Sequence, residues 1–401
     1  MEKQRKVAII GAAGQAGRNR RQRLTGEYGL DCSDLVNQVV YFDTSAERLN
    51  EQVKQGLVPT DSACSSWPDL IKSAPFDEIF VCTPVNMHHD SIQRIAQAGL
   101  TKRVLVEKPL ALTLEQGVEM RQIAKSADIQ LFCGYHLTMT GPMRRLRERI
   151  SEIDALHIKD MEITYTKMRE AGHSKRHPIA GVISEEIPHV VDLFTAIMGV
   201  PQLVQVSEAR VIPIRVGEDR IDYADMPGLK LNDEVHEDAN GRFCLGWIMG
   251  ELTAHLSFSR ERVGSIHSSF ETAHHERSVR IEAARETFPS DPEFGNNFFT
   301  WKTSVTSIEP RFREWSGKAE AKTWTAQCIE DRHIDLGDPL GQETHFFLKG
   351  EDDVLCDIDR AVNAQAVVEA IAKSAATVGG DQGAYTDIIR PGEAVEVKLP
   401  K

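Results

Sequence analysis

The chain has 401 residues, more than one ordinary hydrophobic core organises, so two domains are expected. Lys and Arg total 47 against 60 Asp and Glu, and the net charge of −13 argues against nucleic acid or an anionic membrane as a general partner. No apolar run can span a bilayer, no signal-peptide core precedes the first strand, and the 7 cysteines lack a C-x-x-C pair; a cytoplasmic protein without disulfide framework or zinc ribbon is expected.

Lys6-Val7-Ala8-Ile9-Ile10 reads as a strand buried on both faces, and glycines follow at 11, 14 and 17 in a G-x-x-G-x-x-G spacing. Gly11, Ala13, Gly14, Gln15, Ala16 and Gly17 thus form a candidate dinucleotide turn. Small residues let the backbone approach a pyrophosphate, and free N–H groups at the start of the next helix meet its charge. Arg18 is placed to approach the pyrophosphate, while Arg20, Arg21 and Arg23 read as surface residues. Val39-Val40-Tyr41-Phe42 is a second buried strand, and Asp43 at its end suits hydrogen bonds from the adenosine ribose, which favours NAD over NADP. The bland reading is an acid that merely ends a strand in a turn.

Strand and helix patterns then alternate. Ile79-Phe80-Val81-Cys82 ends at Thr83-Pro84, a helix covers Asp90 to Ala98, and Val104-Leu105-Val106 ends at Glu107-Lys108-Pro109. Thr113 can cap a helix over 114–127, and a last strand, 129–133, ends at Gly134-Tyr135-His136. This order predicts a doubly wound parallel α/β sheet, a Rossmann domain over residues 1–135. Residues 136–401 predict an α+β domain on a mainly antiparallel sheet, with strands near 160–166, 203–216, 243–258 and 278–283 and helices near 186–198 and 359–378. The polar stretches 217–241 and 286–322 read as long loops or insertions.

Two clusters could carry chemistry. Lys108 stands at the carboxyl end of a strand, where α/β sheets open their ligand crevice, and its ammonium could stabilise negative charge on a substrate oxygen. A surface Glu-Lys pair beside a helix-starting proline is the equal alternative. In the second cluster, Glu185 and His189 are four residues apart, as suits a general acid-base histidine oriented by a carboxylate. Pro188 can place the helix start near 187, leaving Glu185 in the cap region. No metal site is expected: His88-His89 and His274-His275 are adjacent pairs, and H-E-x-x-H is absent. The basic run Lys167, Arg169, His173, Lys175, Arg176 and His177 reads first as a solvated face and second as a site for an anionic substrate.

With its glycine turn, Asp43, Thr83-Pro84, His88, Glu107-Lys108-Pro109, Gly134-Tyr135-His136, and Glu185 with His189-Val190-Val191-Asp192, the chain resembles the glucose-fructose oxidoreductase / inositol dehydrogenase (Gfo/Idh/MocA) family. The resemblance implies a two-domain NAD(P)-dependent oxidoreductase, commonly oligomeric as a dimer or tetramer. It would act on an alcohol or ketone carbon of a sugar, cyclitol or derivative. It implies that His189 moves the hydroxyl proton, Lys108 holds the same oxygen and Glu185 orients both. Thr83, Pro84, His88, Glu107 and Lys108 would line the nicotinamide side, and Tyr135, His136 and Arg176 would reach substrate. Glu185 stands where the family usually has Asp, and Ile187-Pro188 replaces the usual small residue before the histidine. A non-catalytic NAD(H)-binding metabolite sensor and an imine reductase are the competing readings.

Overall fold

The computed structural model describes residues 4–140, 143–144, 158–166, 181–217, 229–238, 241–259, 261–270, 275–284, 298–307, 325–328, 333–335, 338–377 and 391–400. The chain divides into two compact units, Met1–Met139 with Asp338–Gln365, and Thr140–Gly337 with Ala366–Lys401.

The first unit opens with β1 (Arg5–Ile10), whose last four residues are buried, and α1 (Gln15–Leu24). Then come β2 (Val36–Phe42), α2 (Ala46–Lys54), β3 (Ala63–Cys64), α3 (Trp67–Lys72), β4 (Glu78–Val81), α4 (His88–Ala98), β5 (Arg103–Glu107), α5 (Leu114–Ser126) and β6 (Gln130–Gly134). Local chemistry sets the helix starts: the side chains of Ser45, Ser66 and Thr113 accept the N–H of Arg48, Asp69 and Gln116 at the heads of α2, α3 and α5. The six strands are parallel in the order β6-β5-β4-β1-β2-β3. From β1 the chain builds outward to β3 and then crosses back to β4. The switch point therefore lies between β1 and β4, where sheets of this kind open a crevice at their carboxyl ends.

In the second unit, β7 (Ile158–Thr166) precedes two consecutive helices, α6 (Gly181–Glu185) and α7 (Ile187–Met198). The strands β8 (Leu203–Gly217), β9 (Leu229–Asp238), β10 (Gly241–Ser257), β11 (Val263–Ser269), β12 (His275–Ala284), β13 (Phe298–Ser307), β14 (Thr325–Cys328) and β15 (His333–Asp335) follow. All described pairings in this sheet are antiparallel except β7 with β11. Two stretches expected as loops contain strands: β9 lies within 217–241 and β13 within 286–322. β9 is polar and carries little strand signal of its own, so its ladder with β10 decides the conformation; β13 is rich in Phe, Trp, Thr and Val, a strand signal set within an otherwise polar stretch. The apolar stripe of α7, Val190, Leu193, Phe194 and Ile197, is buried; Phe194 stacks on Phe258 with ring centroids 6.3 Å apart. At the helix's far end, Arg262 Nη1 donates to Met198 O at 3.2 Å.

Late in the chain, α8 (Pro339–Lys349) and β16 (Cys356–Asp357) return to the first unit, a stretch that sequence reading alone assigns to the second domain. Periodicity marks a helix but not the sheet that it covers. Phe347 of α8 is fully buried, with its ring centroid 5.1 Å from Phe80 and 5.9 Å from Phe132. β16 joins β6 antiparallel, and both carboxylate oxygens of Asp352 accept Arg103 guanidinium N–H groups at 2.8 Å. The chain closes with α9 (Ile358–Ala376) and β17 (Val395–Glu396), which pairs with β8.

The arginines of α1 do not lie at the surface as expected: Arg20, Arg21 and Arg23 are 0%, 3% and 7% exposed. Two of their acidic partners, Glu343 and Asp338, belong to the returning segment, so nothing near α1 in the sequence announces them. Among the described residues no helix is long and apolar enough to cross a membrane.

Candidate functional site

The glycine turn follows directly from β1. Gly11 and Ala12 donate their N–H groups to Phe42 O at 2.8 and 3.0 Å, which ties the turn to the end of β2. Gly11 has φ +82°, and a Cβ there would stand 2.7 Å from Cys82 O and 2.8 Å from Thr83 N. Only glycine fits this position. The close approach also shows that the turns after β1 and β4 touch at the switch point.

Gly14 is the N-cap of α1 and supplies no capping side chain, and the first turn holds no acid. The first N–H groups of a helix have no intrahelical acceptor, so this end suits an anion. A Cβ on Gly17 would run into Gly11 O and lie 2.7 Å from Ala12 Cα, so the helix can sit this close to the turn only with glycine there.

Asp43 is 8% exposed, and its carboxylate is already engaged: Oδ2 accepts Ala13 N–H and Oδ1 accepts Ser45 N–H, both at 2.9 Å. A carboxylate offers about four lone-pair directions, which leaves capacity for two ribose hydroxyls. Arg48 Nη2 and Arg18 Nε both donate to Ala13 O, at 3.1 and 3.3 Å, so two guanidinium groups flank the same turn. Thr83 Oγ1 is buried without a hydrogen-bond partner among the described residues. Glycine cradle, helix N-terminus, carboxylate and orphan hydroxyl together fit a dinucleotide.

The nicotinamide-side candidates cluster at the ends of β4 and β5. His88, 1% exposed, begins α4; its Nε2 lies 2.9 Å from Thr83 O and its Nδ1 3.1 Å from both Pro109 O and Leu110 O. The ring sits between the two loops, and in its neutral form its single N–H donates to one of them. Burial, the largest influence, lowers its pKa below the ordinary value, and the carbonyl oxygens pull the other way. Pro84 is exposed, Lys108 is half-buried, and the Lys108-Pro109 peptide is cis. Glu107, immediately before Lys108, directs its carboxylate at Arg20, with Oε1 3.0 Å from both Nε and Nη2. Burial beside this carboxylate pushes the Cys82 thiol well above its usual pKa.

Tyr135 is 1% exposed, whereas His136 is half-buried at the start of a short 3-10 turn.

In the second unit the helix is interrupted at Glu186, and Pro188 sits in the first turn of α7. Glu185 therefore ends α6 while His189 belongs to α7, as the missing proline N–H dictates. His189 donates its backbone N–H to Glu186 O at 3.1 Å. His189, Glu186 and Asp192 are 4%, 2% and 0% exposed, and Glu185 is half-buried. Arg176 and the whole basic run from Lys167 to His177 lie outside the described residues.

Sequence reasoning missed Arg20, Glu343, Thr344 and the buried Glu186. Local signals are weak for all four, because a polar or charged residue beside another polar or charged residue reads as surface.

Residues 5–135 match the family model described as oxidoreductase family, NAD-binding Rossmann fold. This domain belongs to the Gfo/Idh/MocA family. Among curated relatives, the chain is 32% identical over 114 residues to 1,5-anhydro-D-fructose reductase of Ensifer adhaerens, covering 28% of this chain and 33% of that protein. It is 22% identical over 177 residues to scyllo-inositol 2-dehydrogenase (NADP(+)) IolW of Bacillus subtilis, covering 43% and 48%. The matches thus span about a third to a half of these relatives' length. Among solved structures, the WlbA dehydrogenase from Bordetella pertussis, in complex with NADH and UDP-GlcNAcA, aligns with TM-score 0.64 at 18% identity, over 99% of this chain and 100% of that one. That likeness extends the shared fold through the antiparallel sheet of the second unit.

Proposed function

We propose that this chain is an NAD-dependent dehydrogenase or reductase that moves hydride between nicotinamide and an alcohol or ketone carbon of a sugar, cyclitol or sugar derivative. One observation carries the reading: the glycine turn after β1 and the Thr83-Pro84 turn after β4 touch at the sheet's switch point, with Lys108 directly after the next strand out, β5. Similarity to sugar and cyclitol oxidoreductases supports it.

Bound NAD supplies the hydride acceptor or donor. Asp43 takes the adenosine ribose, and the first turn of α1 takes the pyrophosphate. Lys108 Nζ holds the reacting oxygen and stabilises the negative charge that grows on it. His189 accepts the hydroxyl proton during oxidation and returns it during reduction. Glu185 orients the imidazole, and the neighbouring buried Glu186 keeps the surroundings of that proton polar. An anionic substituent would be held by Arg176 and the basic residues near it in the sequence, and the WlbA likeness points to nucleotide-sugar acids as one class to try. Cytoplasmic location and a homodimer or homotetramer complete the proposal.

The test is an NADH fluorescence titration followed by a hydride-transfer screen across polyols, keto-sugars and uridine diphosphate sugar acids. NADH binding with turnover on one class is the expected result. Tight NADH binding with no transfer to any substrate would favour the metabolite sensor, and a product with a new C–N–H unit would identify an imine reductase.

A further inference from the structure

The most unusual side chain in the first unit is Arg20. It is wholly buried in α1, and all three of its guanidinium nitrogens donate hydrogen bonds. Nε donates to Glu107 Oε1 at 3.0 Å, Nη1 to Thr344 Oγ1 at 2.8 Å and to Leu340 O at 3.4 Å, and Nη2 to Glu343 Oε2; Nη2 also forms an ion pair with Glu107 Oε1 at 3.0 Å. The guanidinium also lies over the Phe80 ring of β4, 5.4 Å from its centroid. One side chain thus joins α1, β4, the end of β5 and the returning helix α8. A planar fork with five donors can do this, and a lysine ammonium cannot.

Burying a guanidinium with two carboxylates is costly and gives little net stability over apolar packing, so the cluster calls for a reason other than stability. Its position supplies one. Glu107 is the last residue of β5, and Lys108-Pro109 follows at once. From the other side, the His88 ring lies against Pro109 O, Leu110 O and Thr83 O. The loops after β4 and β5 are therefore held between Arg20 and His88. The pyrophosphate turn keeps separate supports, the bonds from Gly11 and Ala12 to Phe42 O and from Ala13 to Asp43.

We propose that Arg20 is a positioning residue for the nicotinamide end of the site: through Glu107 it fixes the loop that carries Lys108, and through Glu343 and Thr344 it makes α8 part of that support. The inference rests on the dinucleotide reading above. It predicts an asymmetry, because loosening this cluster harms the nicotinamide end and spares the ADP-ribose end.

The experiment compares NADH with ADP-ribose, which has no nicotinamide, by titration calorimetry on the full chain. Removing Arg20 alone leaves two carboxylates buried together and threatens folding. The main variant is therefore the charge-balanced pair Arg20→Leu with Glu343→Leu, checked by circular dichroism, and Arg20→Lys is the conservative companion. The expected result is an NADH affinity about tenfold weaker, the scale of one lost charged hydrogen bond, with ADP-ribose affinity unchanged and partial recovery in Arg20→Lys. Equal losses for both ligands would reduce Arg20 to a support of α1 and overturn the proposal, as would unchanged affinity for both. A wild-type chain that binds neither ligand would instead sink the dinucleotide reading itself.

Discussion

Asp43 Oδ2 accepts the Ala13 N–H at 2.9 Å, so the acid at the end of β2 and the glycine turn after β1 form one hydrogen-bonded assembly. The same carboxylate can therefore shape the pyrophosphate turn and face the adenosine ribose.

Replacing it should affect the two cofactors unequally. Asp43→Ser is expected to weaken NADH by about tenfold or more, since hydroxyl-to-carboxylate bonds are charge-assisted. NADPH should lose less, because a 2′-phosphate is no longer repelled and Arg18 and Arg48 stand at the turn. Fluorescence titrations with both nucleotides check this. Equal losses would remove Asp43 from the ribose site.

At Gly11 the constraint is steric. Gly11→Ala needs a side chain at φ +82° and 2.7 Å from Cys82 O, so it should cost about 1–3 kcal/mol of stability and abolish tight NADH binding. Thermal unfolding and NADH titration would reveal it, and a variant that melts and binds like wild type would contradict the turn geometry.

How much of this was legible beforehand depends on the range of the interactions. β1, the glycines, Asp43, the Thr113 cap and the alternating strands and helices are local patterns, and the sequence exposes them directly. Pro188 likewise marks the break between α6 and α7. Arg20 is the opposite case: its partner Glu343 lies 323 residues away, and its neighbours in α1 are polar. The polar strand β9 was hidden for a related reason, since its partner β10 rather than its composition makes it a strand. The site followed the same rule. Lys108 and His189 are candidates by position and residue type alone, while Glu343 and Thr344, which reach Arg20, come from the far end of the chain.

His88 gives a pH dependence with a definite sign. Its folded-state pKa lies below the ordinary 6.5, so the unfolded chain binds the extra proton first as pH falls. Its stabilising contribution is complete above 6.5 and is lost as pH drops through the folded value. The melting temperature should therefore fall between about pH 7 and about pH 5, and His88→Gln, which keeps an N–H donor but does not titrate, should flatten that fall. Parallel curves for the two proteins would show that the drop originates elsewhere.

The thiols should be slow to react. Burial pushes Cys32 up to about 11 and Cys82 well above its ordinary value, so neither is a thiolate near neutral pH. At pH 8 these two cysteines should be alkylated far more slowly in native than in urea-unfolded protein, as read by mass spectrometry of the labelled peptides. Rapid labelling of Cys82 in the native state would contradict its burial under the turn.

In the proposed reaction Lys108 stabilises the reacting oxygen and His189 moves its proton. The most direct measurement of these roles is kcat for Lys108→Ala and His189→Ala on the substrate that wild type turns over fastest, with NADH affinity measured in parallel. Each variant should lose about 10²-fold or more in kcat while binding NADH nearly as wild type does, as electrostatic and proton-transfer roles require. Wild-type turnover in either variant would contradict the account.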